Sequence, residues 1–178
     1  MPKRRIEPLV NGRIRLRLLE EADLPMTLAW RNQDHIRRWF LRSDVITPEQ
    51  HAAWYAAYKA RDDDFVFVIE ETATLGRPVG QVALYRIDWS RGTAEFGRLL
   101  IGDSAAAGHG LATLATATLI DEACSNWGVN EIVLTVLAGN TRALAAYEAC
   151  GFKETGRAAE TIEMRFASAV PPGGAPVC

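Results

Sequence analysis

Residues 102–124 read GDSAAAGHGLATLATATLIDEAC, a run of small residues that passes straight into an apolar stripe. Leu111, Leu114, Ala115, Leu119, Ala123 and Trp127 recur at helical spacing, which predicts one helix closed by Gly128. Gly108 and Gly110 flank His109 on its threshold. Glycine lets backbone N–H groups approach a ligand closely, and a helix N-terminus favours an anion. The stretch before it, Ala94–Ile101, reads as a strand. The one after it, Ile132–Leu137, is a solid apolar strand of the type covered on both faces. Strand, glycine loop, helix and strand make a β-α-β unit of phosphate-binding type. No Gly-Lys-Ser/Thr follows, so this is not a Walker loop, and the third glycine of a dinucleotide fingerprint is missing.

Working outward, Arg13–Leu19 alternates in strand fashion, and Glu20–Phe40 is mostly helical with an interruption near Pro25. Thr47-Pro48-Glu49-Gln50 is a helix start, with threonine as cap and proline in the first turn. That helix runs through His51, Trp54 and Tyr58. Phe65–Ile69, Val79–Ile87 and Ala94–Ile101 suggest an antiparallel meander, the last two joined by the turn Ser90-Arg91-Gly92. After Ile132–Leu137, Asn140 caps a helix that ends at Gly151, and Phe152 opens two short strands. The order β-α-α-β-β-β-α-β-α-β-β predicts a mixed sheet with helices on its faces, of α/β (α+β) class. Residues 1–168 form one domain, and residues 169–178 read as a disordered tail.

The bulk numbers fit one domain. The 178 residues are 48% hydrophobic and 24% charged, with a formal net charge of −2, so no global field invites nucleic acid or an anionic membrane. Cys124, Cys150 and Cys178 lack metal-ligand spacing and read as reduced thiols; no metal is expected. No apolar run reaches spanning length and no signal pattern opens the chain, so the expected setting is cytoplasmic.

The second capped helix adds chemistry. In Asn140-Thr-Arg-Ala-Leu-Ala-Ala-Tyr147-Glu-Ala-Cys-Gly151-Phe152, an amide and a phenol stand seven residues apart, nearly on one helical face. With Ala107-Gly108-His109-Gly110-Leu111-Ala112, this stretch resembles the GNAT acyltransferase superfamily, which transfers acetyl from acetyl-CoA to amines. The likeness spans roughly residues 13 to 166. It departs at Ala107, where the family usually has Gln or Arg; that position serves mostly through its backbone.

The resemblance implies the acyl-CoA N-acyltransferase fold, with a six- to seven-stranded mixed sheet and helices on both faces. It implies acetyl-CoA as co-substrate, its pyrophosphate cradled by the N–H groups of residues 107–112. The Glu95–Ile101 strand, with Leu100 and Ile101, would pair with the pantetheine arm, and the Leu100 amide would donate to the thioester oxygen. Asn140 would bond the pantetheine, and Tyr147 would protonate the departing thiolate. Glu95 stands where some relatives carry a catalytic glutamate, and His51 is a second candidate base.

Trp30-Arg31 and the helix bearing His51 and Trp54 are similar to GNAT enzymes that acetylate nucleotide-linked amino sugars, with aromatics to stack on base or sugar and arginine to pair a diphosphate. Trp30, Trp39 and Trp54 can equally serve as core, a role expected for two of the three. Ribosomal-protein N-terminal acetylation is the second reading, on the opening strand and helix order. Antibiotic inactivation is the third, with Asp62-Asp63-Asp64 as the dense acidic cluster. A CoA-binding module without turnover stands outside these. Expected partners are a small-molecule amine and, for assembly, a second copy of the chain.

Overall fold

Strand periodicity dominates the first half of the chain, and the computed structural model, which describes residues 3–168, assembles it into one continuous sheet. Chain order is β1 (Leu9–Asn11), β2 (Ile14–Leu18), α1 (Leu24–Arg31), α2 (Asp34–Arg37), α3 (Pro48–Lys59), β3 (Asp64–Glu71), β4 (Arg77–Asp88) and β5 (Thr93–Ile101). It continues with α4 (Leu111–Asn126), β6 (Glu131–Leu137), α5 (Thr141–Ala149), β7 (Lys153–Arg157) and β8 (Thr161–Ala167). The sheet order is β1-β2-β3-β4-β5-β6-β8-β7, and every neighbouring pair is antiparallel except β5 and β6.

The expected mixed sheet is present with one strand more than the six or seven foreseen. The additional strand is β1, three residues that pair with β2 across Asn11↔Ile14 and are too short to show alternation in sequence. Pro25 does not interrupt the first helical stretch. It stands in the first turn of α1, where a missing N–H costs nothing, and the break comes at Asn32-Gln33. Thr47 caps α3 as expected: its hydroxyl accepts the Gln50 N–H at 3.2 Å, and the Gln50 side chain returns to the Thr47 N–H at 2.8 Å. The expected tail lies outside the described residues.

Two layers of helix clamp the sheet. On one face, α4 presents Leu111, Ala115, Leu119 and Ala123 to Ile14, Phe67, Val82, Leu84 and Phe96 in the main core. On the other, α3 with Tyr55 and Tyr58 and α1 with Leu24 and Met26 cover Val66, Val68 and Ala83 beside Leu19. Burying a side chain such as Leu119 fully contributes about 1.5–3 kcal/mol, so these two cores set which faces the site elements present. On β6 and β8 the second face stays open: Val133, Thr135, Glu163 and Arg165 are exposed, opposite buried Ile132, Leu134, Ile162 and Met164.

Candidate active site

The parallel pairing of β5 with β6 covers only Thr93↔Glu131, Ala94↔Ile132 and Glu95↔Val133, whereas β5 stays paired with β4 as far as Ile101. Past Glu95 the two parallel strands part. Phe96–Ile101 therefore shows a cleft-side edge with no strand partner, and unpaired strand edges are templates for added hydrogen-bonding chains.

A bulge accompanies the separation. Between Ala83↔Gly97 and Gln81↔Leu100, β5 holds one residue more than β4, and Arg98 takes a φ of 51°, rare for a residue with a side chain. Its guanidinium is fixed by both oxygens of buried Asp64, at 2.6 and 3.1 Å, and lies 4.4 Å from the Tyr85 ring centroid. Gly80 of β4 is needed beside it. A Cβ there would stand 2.2 Å from the Leu100 carbonyl oxygen.

Below the separation point sits Tyr147 on α5. Its ring meets Phe96, the first residue past the ladder, edge-on at 5.8 Å, and Phe152 at 5.9 Å. The residue is buried, and its hydroxyl makes no hydrogen bond with a described residue. Burial pushes the phenol up to about 12, so it keeps its proton across neutral pH. Asn140 begins the same helix. Its side-chain oxygen accepts the Ala143 N–H at 3.2 Å, which leaves the amide N–H₂ without a partner among the described residues. The cap and the proposed ligand contact thus use different ends of one side chain.

The glycine loop enters α4 in left-handed steps, Gly108 at φ 82° and Gly110, the N-cap, at φ 74°. A side chain would be strained at either. Two arginines ring the loop. Arg13, in the turn between β1 and β2, donates to the His109 carbonyl, and the Arg142 guanidinium comes within 3.9 Å of where a Gly108 Cβ would stand. Together with the N–H groups of the first turn they put positive charge at the helix entry, electrostatics that suit a phosphate. Neither arginine is marked out by the sequence motifs: Arg13 opens an alternating strand stretch, and Arg142 lies unremarked inside the capped helix. Its place in the first turn of the capped helix was the available signal. His109 is exposed, Ala107 and Ala112 line the same turn, and Leu111 is buried under it.

On the α1–α3 face, Trp30 is buried with Ile36 against Leu100, and its ring fills the space a Gly102 side chain would need. Trp30 is a wall of the cleft; a stacking surface it is not. Arg31 packs its guanidinium 4.0 Å from the Phe40 ring centroid and donates from one nitrogen to the Arg42 carbonyl; its other terminal nitrogen is buried with no partner among the described residues. His51 and Trp54 stack in parallel at 5.3 Å on α3, and burial lowers the imidazole below its ordinary pKa, keeping it neutral near pH 7. Trp54 also stacks on Tyr58, 5.2 Å away, so its half-buried ring belongs partly to the second core.

Glu95 borders a cavity of about 310 Å³ with Arg86, Glu131 and Val133. Both of its oxygens are engaged, one by the Tyr85 hydroxyl at 3.0 Å and one by Arg86 at 2.7 Å. The acidic cluster is fully committed as well: Asp62 to Arg4, Asp63 to Arg61 and Asp64 to Arg98. It forms no free acidic groove for a polycationic antibiotic. Among the described residues no group of His, Cys, Asp or Glu could hold a metal, and no helix is long and apolar enough to cross a membrane.

Comparison with known proteins fits this geometry. In overall fold, the chain is similar to spermidine N-acetyltransferase from Vibrio cholerae in complex with CoA and spermine. The TM-score is 0.80 at 23% identity, covering 89% of this chain and 98% of that one. It is similar also to a domain from Methanocaldococcus jannaschii, with a TM-score of 0.75 at 22% identity, covering 88% and 99%. An uncharacterized protein of Methanocaldococcus jannaschii is 25% identical over 151 residues, which are 84% of this chain; the chain spans 30% of that relative's length. The acetyltransferase (GNAT) domain family matches residues 13–153, from the residue before β2 to the first residue of β7. The splayed strands, the glycine loop and the Asn140–Tyr147 helix all fall within that span, and the chain belongs to the acetyltransferase (GNAT) domain family.

Proposed function

We propose that the chain acetylates the primary amine of an acceptor that also carries a strongly anionic group, a nucleotide-linked amino sugar. The observation that carries this reading is Arg31, whose buried guanidinium nitrogen lacks a partner among the described residues, beside the cleft wall formed by Trp30 and Leu100. Unpaired buried donors are costly, and a phosphate or carboxylate oxygen would satisfy this one. The surrounding segment agrees. Residues 31–44 hold Arg31, Arg37, Arg38 and Arg42 against Asp34 and Asp44. A polyamine, the ligand named with the Vibrio structure, would meet a cationic segment there.

In this reading acetyl-CoA lays its pantetheine along Phe96–Ile101, and its pyrophosphate rests on residues 107–112 between Arg13 and Arg142. Asn140 donates its free amide N–H to the arm. The acceptor amine enters from the α1–α3 face, where His51 and Trp54 line the approach. It loses its proton through water ordered at Glu95 and attacks the thioester carbon. An amide of the Leu99–Ile101 stretch, with Leu100 the leading candidate, holds the oxyanion. As the C–S bond breaks, the Tyr147 hydroxyl donates to the sulfur. A phenol near 12 facing a thiol of about 8.5 works mainly as a hydrogen-bond donor to the developing thiolate, with the proton following as the amine sheds its own.

The test is thiol release from acetyl-CoA with UDP- and dTDP-linked amino sugars, spermidine and an N-terminal peptide amine. Saturable turnover on the sugar nucleotide, with competitive inhibition by free UDP, is the expected result. Turnover on spermidine or on the peptide with UDP inert would overturn the acceptor assignment.

A further inference from the structure

One aromatic side chain joins the two sides of the cleft. The segment after α1 is anchored to the β5 side: Ile36 packs with Trp30 on Leu100, and the Gln33 side chain donates to the Gly102 carbonyl at 3.3 Å. Three side chains then fix the loop that follows α2. Arg37 donates to the Ser43 carbonyl at 2.7 Å, Arg31 to the Arg42 carbonyl, and Asn32 exchanges two bonds with the Ile46 backbone at 2.8 and 3.0 Å. From this braced loop Trp39 reaches to the other side. The edge of its ring stands 3.8 Å from where a Cβ on Gly139 would be, at the link between β6 and the Asn140 cap.

Two details separate this contact from ordinary packing. Trp39 keeps 39% of its surface exposed, so it is not there to fill a core. Gly139 does not adopt positive φ, so its backbone does not demand glycine; what the missing side chain leaves open is the space before the indole. A methyl would just touch the ring, and a branched side chain would displace it.

We infer that Trp39, seated against Gly139, closes the α1–α3 mouth of the β5–β6 cleft and sets which acceptors reach the thioester. This deepens the proposed function and rests on its assignment of that face to the acceptor. A closed mouth has a second consequence that needs no acceptor: it keeps water from the thioester. Without the indole, a water oxygen adds to the carbonyl carbon, the C–S bond breaks, and acetate and free CoA thiol result.

The experiment compares wild type with Trp39→Ala, Trp39→Phe and Gly139→Leu, each first checked for native circular dichroism and acetyl-CoA affinity. Acceptor-independent thiol release should rise severalfold in Trp39→Ala and Gly139→Leu. The acceptor KM should rise roughly tenfold or more, the order that misplacing a reactant costs, while the acetyl-CoA KM holds. Trp39→Phe should recover part of both effects. Folded Trp39→Ala with wild-type thiol release and an unchanged acceptor KM would reduce Trp39 to a surface residue. If no amine tested is acetylated by wild type, the proposed acceptor falls, and acceptor-independent release still decides the role of Trp39.

Discussion

Asp64→Asn tests whether the bulge in β5 depends on its ion pair. Asp64 is 2% exposed in its side chain and Arg98 28%, and both carboxylate oxygens are bonded, at 2.6 and 3.1 Å. Asparagine keeps the shape and one acceptor oxygen but turns an N–H₂ toward the guanidinium. Breaking a buried pair by removing one partner costs about 3–5 kcal/mol, because the remaining charge is left uncompensated. Arg98 retains some water and lies on the Tyr85 ring, so the lower end, about 3 kcal/mol, is expected. For a chain of this size about 2–4 °C of melting temperature goes with each kcal/mol, giving a fall of roughly 6–12 °C. Chemical denaturation should show a lower midpoint with the same slope. Adding Arg98→Gly should return part of the loss, since the orphaned charge is gone and glycine accepts the φ of 51° without strain. An Asp64→Asn variant within about 1 kcal/mol of wild type, or two changes whose costs simply add, would refute the idea that this pair holds the bulge.

Tyr147→Phe should lower turnover by roughly tenfold or more with an unchanged melting temperature, because the hydroxyl bonds to no described residue; steady-state kinetics beside a thermal scan reads both. Gly110→Val, at φ 74° on the helix threshold, should abolish measurable acetyl-CoA binding by calorimetry and cost about 1–2 kcal/mol in backbone strain. His51 has a folded-state pKa below its unfolded value, so the stability it contributes is complete above about 6.5 and is lost as pH falls through the folded value. His51→Gln should therefore flatten that acidic limb in a series of melting curves against pH.

The parts of the site that were legible in sequence are those where backbone conformation demands a residue type. Gly108 and Gly110 turn left-handed, Asn140 caps α5 with its oxygen, and Thr47 closes a reciprocal cap. Each is a local requirement visible in a few residues. The bulge was not legible, because Arg98, at positive φ, pairs with a carboxylate 34 positions away. Asp64 accordingly read as one member of a dense acidic cluster. Trp30, Trp39 and Trp54 show the same limit: spacing puts all three on helical stretches. Only the fold shows that the first is a buried wall, the second an exposed bridge and the third half in a core. Arg31 was singled out by its residue type beside Trp30. That its free nitrogen is buried could come only from the packed loop.

The short ladder between β5 and β6 has a bearing on how this protein lives in solution. Three rungs hold two halves of one sheet together, and past them the polar backbone of Phe96–Ile101 waits for a strand that no other described residues supply. In the function proposed above, an extended cofactor laid there would complete the sheet. Occupancy then becomes a stability variable: saturation at about a hundred times the dissociation constant adds about 2.7 kcal/mol to the folded state. Supplied with cofactor, the molecule should resist proteases and exchange its β5 amides slowly. Starved of it, the same edge is an open invitation to another chain's strand, so the metabolite that is consumed in turnover also guards the fold against aggregation.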